Sequence, residues 1–188
     1  MKIAIIGSGA MGSLFGGMLA LTGHEVWLYD IWKDHMDKVA KDGLIIVSTA
    51  GETTVRLRAT TDSRKIRGAE LAIVFVKAIA TREAAEIAST LMGPESVVLT
   101  LQNGYGNAEQ LAEIVGPDRV IAGVTSHGAT MLGPGRIKHA GSGETHIGEL
   151  KCGINERIRR IAALMTDAGI ATTVEHDVSS LIWGKLLV

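Results

Sequence analysis

The chain has 188 residues, 46% of them hydrophobic and 21% charged, with a formal net charge of −1. That is the size of one large domain, or of one domain with the start of a second, and it is ample for a buried core. A near-neutral balance without a basic cluster argues against a nucleic-acid partner held by phosphate neutralisation, and no apolar run reaches the ~18 residues of a membrane span.

The first predicted elements are a β-branched strand over Ile3 to Ile6, a turn from Gly7, and an apolar helix from Leu14 to Leu21 closed by Gly23. Glu25 to Tyr29 reads as a second strand, with Asp30 at its end. The junction carries G-x-G-x-x-G as Gly7-Ser8-Gly9-Ala10-Met11-Gly12, and Asp30 lies 18 positions beyond Gly12. Strand, glycine turn, helix and acid at this spacing form a dinucleotide-binding pattern. Gly7 makes the turn, Gly9 lets a pyrophosphate approach the backbone, and Gly12 lets the helix pack on the strand. The diphosphate would then meet free amides at the positive end of the helix.

Asp34 to Asp42 has helix-forming composition, and Leu44–Val47 and Val55–Leu57 read as short strands around a Gly51-Glu52 turn. Leu71 to Val76 is apolar at every position, as in a central parallel strand buried on both faces, and ends in Lys77. Thr81 is expected to cap a helix through Met92 that stops at Gly93-Pro94. Ser96 to Leu101 is another buried strand, followed by Gln102-Asn103-Gly104; a helix over Asn107–Val115 and a strand over Val120–Val124 come next. The alternation then changes, with short strands at Ala129–Leu132, Arg136–Ala140 and Glu144–Ile147 that read as an antiparallel meander. A helix over Asn155–Asp167 and a strand at Thr172–Val174 complete the series.

The expected fold class is α/β, a Rossmann-type doubly wound parallel sheet with an added antiparallel meander. From Asp177 the chain begins as a capped helix and stops in its most apolar part. Residues 1–175 are therefore expected to form the dinucleotide-binding domain, and 176–188 the first turns of a helical second domain.

In an open parallel sheet, ligands bind beyond the carboxyl ends of the strands, which singles out Gly7–Gly12, Asp30, Lys77 and Asn103. A carboxylate at Asp30 would hold ribose hydroxyls and repel a 2′-phosphate, favouring NAD(H), although Lys33 stands within reach of a phosphate. His127 and His139 have no partner spacing and read as packed or surface histidines. The single cysteine, Cys152, reads as a buried or incidental thiol, and no metal-ligand spacing occurs. With no signal-peptide pattern at the N-terminus, a cytoplasmic location is expected.

The turn Gly7–Gly12, Val76-Lys77-Ala78, Gln102-Asn103-Gly104, Gly123 to Ala129, Thr145-His-Ile-Gly148 and Leu181-Ile-Trp-Gly-Lys185-Leu186 occur in one order. In this the chain resembles the ketopantoate reductase family. The resemblance implies reduction of the 2-keto acid ketopantoate to pantoate with NADP(H), on the route to coenzyme A. It implies that Lys185 is the catalytic lysine and also binds substrate, that Lys77 and Asn103 contact the cofactor, with Asn103 near the substrate too, and that Ala129 makes a backbone contact near the nicotinamide. Asp30 stands where the family usually has an arginine for the 2′-phosphate. A further domain carrying more substrate contacts, and a homodimer formed through it, are also implied. The alternatives are another β-hydroxyacid-type dehydrogenase and a non-catalytic dinucleotide-sensing module.

Overall fold

The computed structural model describes residues 1–151 and 153–185. Cys152 and the apolar end of the last predicted helix, residues 186–188, lie outside them. The main sheet is built from β1 (Lys2–Ile6), β2 (Glu25–Tyr29), β5 (Arg58–Thr60), β6 (Ala69–Val74), β7 (Met92–Thr100), β8 (Val120–Thr125), β11 (Thr145–Glu149) and β12 (Thr172–Val174). Their order is β12-β11-β8-β7-β6-β1-β2-β5, and β11 is antiparallel to β8 while the other pairs are parallel. The chain runs outward from β1 through β2 to β5, then crosses back to β6 and runs outward the other way. That reversal opens a crevice at the carboxyl tips of β1 and β6, where a ligand has room between diverging loops.

Helices cover both faces because the strands are apolar on both. Along β1, Ile3 and Ile5 enter one core, with Phe15 and Leu19 of α1 (Ala10–Leu21) and Ile161 and Met165 of α5 (Glu156–Asp167). Ala4 and Ile6 point to the other core, with Ala84 and Ala88 of α3 (Thr81–Leu91) and Leu111 of α4 (Asn107–Val115). The period-2 alternation of the strand thus serves two layers at once.

A second sheet of four strands, ordered β4-β3-β10-β9, contains β3 (Leu44–Ser48), β4 (Gly51–Val55), β9 (Gly128–Gly133) and β10 (Arg136–Gly141). It joins two antiparallel hairpins through the parallel pair β3 and β10. α1 lies between the two sheets, approaching Leu28 at Gly16 and Ile46 at Gly17, where an added Cβ would come within 2.5 and 2.6 Å of those side chains. A helix enclosed on both sides can carry little that is polar, and the one polar side chain of α1, Ser13, is buried with hydrogen-bond partners.

Several local expectations change. The three strands read as one meander divide between the sheets: β9 and β10 form the hairpin, while β11 pairs with β8 in the main sheet. Both pairings are antiparallel, but strand period alone does not say which sheet a strand joins. The Gly51-Glu52 pair begins β4 instead of forming the turn, so the partner of β3 is Gly51–Val55 and not Val55–Leu57, and a separate strand, Arg58–Thr60, lies at the edge of the main sheet. Gly93-Pro94 falls inside β7 at a shift of register against β6, where Pro94 has no N–H to offer and Ser96 Oγ accepts from the Gly93 N–H at 2.9 Å. Thr81 does not cap α3; it is the first helical residue, and its hydroxyl is used elsewhere.

Candidate functional site

The glycine turn is closely packed at Gly7 and Gly12 and open at Gly9. Gly7 has φ +89°, and a Cβ there would lie 2.6 Å from the Val76 nitrogen. At Gly9, by contrast, a Cβ would meet nothing within 4 Å, so the turn opens to free space in front of α1. No side chain caps that helix, which leaves the first amides of its opening turn available to an anion. Ser8 is buried, its Oγ 3.2 Å from the Tyr29 carbonyl, so only its backbone can serve a ligand. Gly12 packs closest of all: a Cβ would sit 2.1 Å from the Gly7 carbonyl oxygen. Gly12→Ala should therefore lower unfolding stability by about 1–3 kcal/mol or more, read from the denaturant midpoint. An unchanged midpoint would contradict that packing.

Asp30 follows β2 at the rim of a cleft of about 440 Å³ whose walls include Gly9, Tyr29, Val76 and Ile87. Its Oδ1 accepts the Trp32 backbone N–H at 2.9 Å. The two most exposed large apolar side chains bordering this cleft, Ile31 at 81% and Ile79 at 95%, come from the loops after β2 and β6. Lys33, three residues beyond Asp30, has its exposed ammonium paired with Asp37 one turn along α2 (Lys33–Asp42).

A neighbouring cavity of about 350 Å³ brings together Lys77, Asn103 and Lys185. Met11 of the glycine turn and Phe75, Val76 and Lys77 line it too, and these last three also border the first cleft, so the two cavities adjoin across them. Lys77 and Asn103 are exposed, and among the described residues neither side chain has a hydrogen-bond or ionic partner. The loops bearing them are held by a shared network: Gln102 Nε2 donates to the Val76 carbonyl at 2.7 Å and to Thr81 Oγ1 at 2.9 Å. Thr81 Oγ1 donates to Asn107 Oδ1 at 3.0 Å, and Asn107 Nδ2 donates to the Asn103 carbonyl at 3.1 Å.

Lys185 closes the cavity from α6 (Ser179–Lys185), its Nζ donating to the Thr125 carbonyl at 2.7 Å. Burial pushes its pKa below the ordinary lysine value. α6 is held against the rest by buried Val178, by Ile182 packed on the second core, and by Trp183, whose ring lies 4.5 Å from that of Tyr105. Ala129 is not among the residues bordering either cavity; it sits on β9 opposite His139. His127, packed as expected, borders the lysine cavity at 8% exposure, with Nδ1 3.3 Å from His139 Nε2 and, among the described residues, no partner for Nε2. Burial, with His139 second, holds its pKa down. Sequence reasoning missed Gln102, Thr81 and Asn107 as supports and His127 as a wall; polar residues next to strand tips were the available signal for the first.

Another cleft of about 340 Å³, bordered by Met1, Glu70, Pro94 and Arg160, lies at the amino ends of the strands, away from these groups. Among the described residues no group of three potential metal ligands occurs, and no helix is long and apolar enough to cross a membrane.

Comparison with known proteins adds a decisive observation. The family model described as ketopantoate reductase PanE/ApbA matches residues 3–151. The chain belongs to the ketopantoate reductase family. Across its whole length this ketopantoate reductase family chain is 40% identical to a 2-dehydropantoate 2-reductase of Halobacterium salinarum and 38% identical to one of Pyrococcus abyssi. It spans 62% and 61% of those relatives, respectively. The 2-dehydropantoate 2-reductase structure from Geobacter metallireducens superposes on all of it with a TM-score of 0.93 at 30% identity, the match covering 62% of that chain. D-mandelate dehydrogenase with NADH and anilino(oxo)acetate superposes on 98% of it with a TM-score of 0.91 at 29% identity, covering 60% of that chain.

Proposed function

We propose that this chain is the dinucleotide-binding part of an NAD(P)H-dependent reductase of 2-keto acids, with ketopantoate the foremost substrate and pantoate the product. The observation that carries the reading is the convergence of Lys77, Asn103 and Lys185 on one cavity that adjoins the cleft in front of the glycine turn. Residues Gly7, Ser8, Gly9, Ala10, Met11 and Gly12 would hold the diphosphate through backbone amides, a role that the space over Gly9 and the uncapped start of α1 support. Asp30 would take the ribose hydroxyls, and Ile31 and Ile79 would flank the adenine. Lys77, Asn103 and the Ala129 backbone would fix the nicotinamide end.

A bound reduced nicotinamide supplies the hydride to the keto carbon. As that carbon is reduced, charge grows on the former carbonyl oxygen, and the Lys185 ammonium stabilises it and gives it a proton. The same ammonium and the Asn103 amide orient the keto acid before reaction. Residues 176–188 would open a helical domain that contributes further substrate contacts and a dimer interface, in a cytoplasmic enzyme.

Oxidation of NADH and of NADPH by the full-length protein, followed at the nicotinamide absorbance with a panel of 2-keto acids, tests the reading. Turnover of ketopantoate above other acids supports it, and cofactor binding without oxidation for any acid would point to a sensing module. The likeness to D-mandelate dehydrogenase favours one second reading, reduction of an aromatic 2-keto acid, which the same panel distinguishes.

A further inference from the structure

His35 is fully buried on α2, and both of its ring nitrogens are engaged. Nδ1 accepts the backbone N–H of Gly135, in the turn between β9 and β10, at 2.8 Å. Nε2 lies 2.9 Å from Ser13 Oγ, which donates to the Ser8 carbonyl at 2.9 Å. A backbone N–H can only donate, so Nδ1 carries no proton; Nε2–H must then donate to Ser13, whose own proton is committed to Ser8. The chain of bonds has one consistent direction, from the second sheet through α2 into the glycine turn. The Trp32 ring stacks on the imidazole, with centroids 5.3 Å apart and planes 24° apart, and the Trp32 N–H donates to Asp30 Oδ1. An apolar residue of similar size would fill the space but leave the Gly135 N–H without its acceptor and Ser13 without its donor.

We infer that His35 is a positioning residue for the dinucleotide, holding the diphosphate turn through Ser13 and Ser8 and the ribose carboxylate of Asp30 through Trp32. This rests on the dinucleotide reading above. Protonation of His35 would place a second N–H against the Gly135 N–H and break the relay. Burial lowers the pKa of His35, with Asp30 acting in the opposite direction. Of the other charged groups nearby, Lys38 packs against Gly135, Arg136 is engaged by Glu52, and α1 carries no ionisable side chain. Because burial holds the native pKa below the unfolded one, the folded protein keeps the relay below the unfolded value and loses it only as pH falls through the native one, and the stability the relay contributes declines over that same interval.

The test is fluorescence titration of the full-length protein with NADH, whose diphosphate keeps its charge, from about pH 8 down to about pH 5.5, where histidine titrates. Wild-type affinity should hold through neutral pH and fall at the acid end of the range. His35→Gln should bind NADH roughly tenfold more weakly at the upper pH and lose the slope, and Ser13→Ala should weaken binding with His35 intact. Thermal midpoints measured alongside separate a merely structural role: folded variants of both kinds with wild-type affinity and slope would overturn the inference. If His35→Gln does not fold, Ser13→Ala and the wild-type slope decide. A wild type that binds neither NADH nor NADPH would refute the dinucleotide reading and this inference with it, whereas binding that is indifferent to His35 and Ser13 refutes the inference alone.

Discussion

Lys185→Met in the full-length protein is expected to lower kcat for ketopantoate reduction by roughly 10²–10⁴-fold while leaving NADH affinity within a small factor of wild type. The asymmetry follows from position. Lys185 reaches the cavity from α6, not from the glycine turn or the strand tips, and its ammonium donates to the Thr125 carbonyl. Methionine keeps the length and apolar packing of the stem but removes the ammonium that would meet the developing oxyanion. The loss should therefore fall on the chemical step instead of on cofactor capture. Undiminished reduction of ketopantoate by this variant would remove Lys185 from the mechanism.

The protonation state adds a second readout. A proton donor must carry its proton, so the rate should be level through neutral pH and fall on the alkaline side as Lys185 deprotonates. Because burial depresses its pKa, that fall should begin at a lower pH than for a solvated lysine. Lys185→Arg, which keeps charge but holds its proton throughout the accessible range, should retain a fraction of the activity with no alkaline decline attributable to this group. An alkaline limb at the same position in Lys185→Arg would assign the titration to another residue.

Much of the fold was legible because its signals are local. Ile3 to Ile6 and Leu71 to Val76 read as strands because every residue in those runs is apolar, and Leu14 to Leu21 read as an apolar helix for the same reason. The second sheet was less legible. Its central pairing, β3 with β10, joins Ile45–Val47 to residues some ninety positions later, and a strand's alternation does not encode its partner. The division of the expected meander between two sheets has the same cause. The shift of register around Gly93-Pro94 shows a breaker pair absorbed by a bulge instead of ending the element.

Within the candidate site, residues at strand tips were readable by the rule that ligands gather there, and Lys77 and Asn103 do border one cavity. Lys185 was readable only through resemblance, since by itself it is a lysine on the last turn of a helix. Gln102, Thr81, Asn107 and His35 were not readable as supports. Each works by bonding to a segment distant in sequence, as His35 does to Gly135, and such neighbours exist only once the layers have packed.

The remaining large effect concerns which cofactor the crevice accepts: the wild-type enzyme should use NADH in preference to NADPH. Asp30 stands after β2 with Oδ1 fixed by the Trp32 N–H, which orients the carboxylate and leaves its other oxygen for the ribose. A 2′-phosphate brought to that position would meet a negative charge, and Lys33, the nearest cation in sequence, would have to leave its exposed pairing with Asp37 to compensate it. Asp30→Asn separates charge from geometry, since the amide oxygen can still accept from Trp32. A hydrogen bond to a charged group contributes about 1.5–3 kcal/mol, so kcat/KM with NADH should drop roughly 10- to 100-fold. Activity with NADPH should hold or rise, because the repulsion is gone while the turn is kept. A wild-type preference for NADPH would mean that the 2′-phosphate finds a cation elsewhere, and Asp30→Asn would then leave the ratio of the two cofactors unmoved.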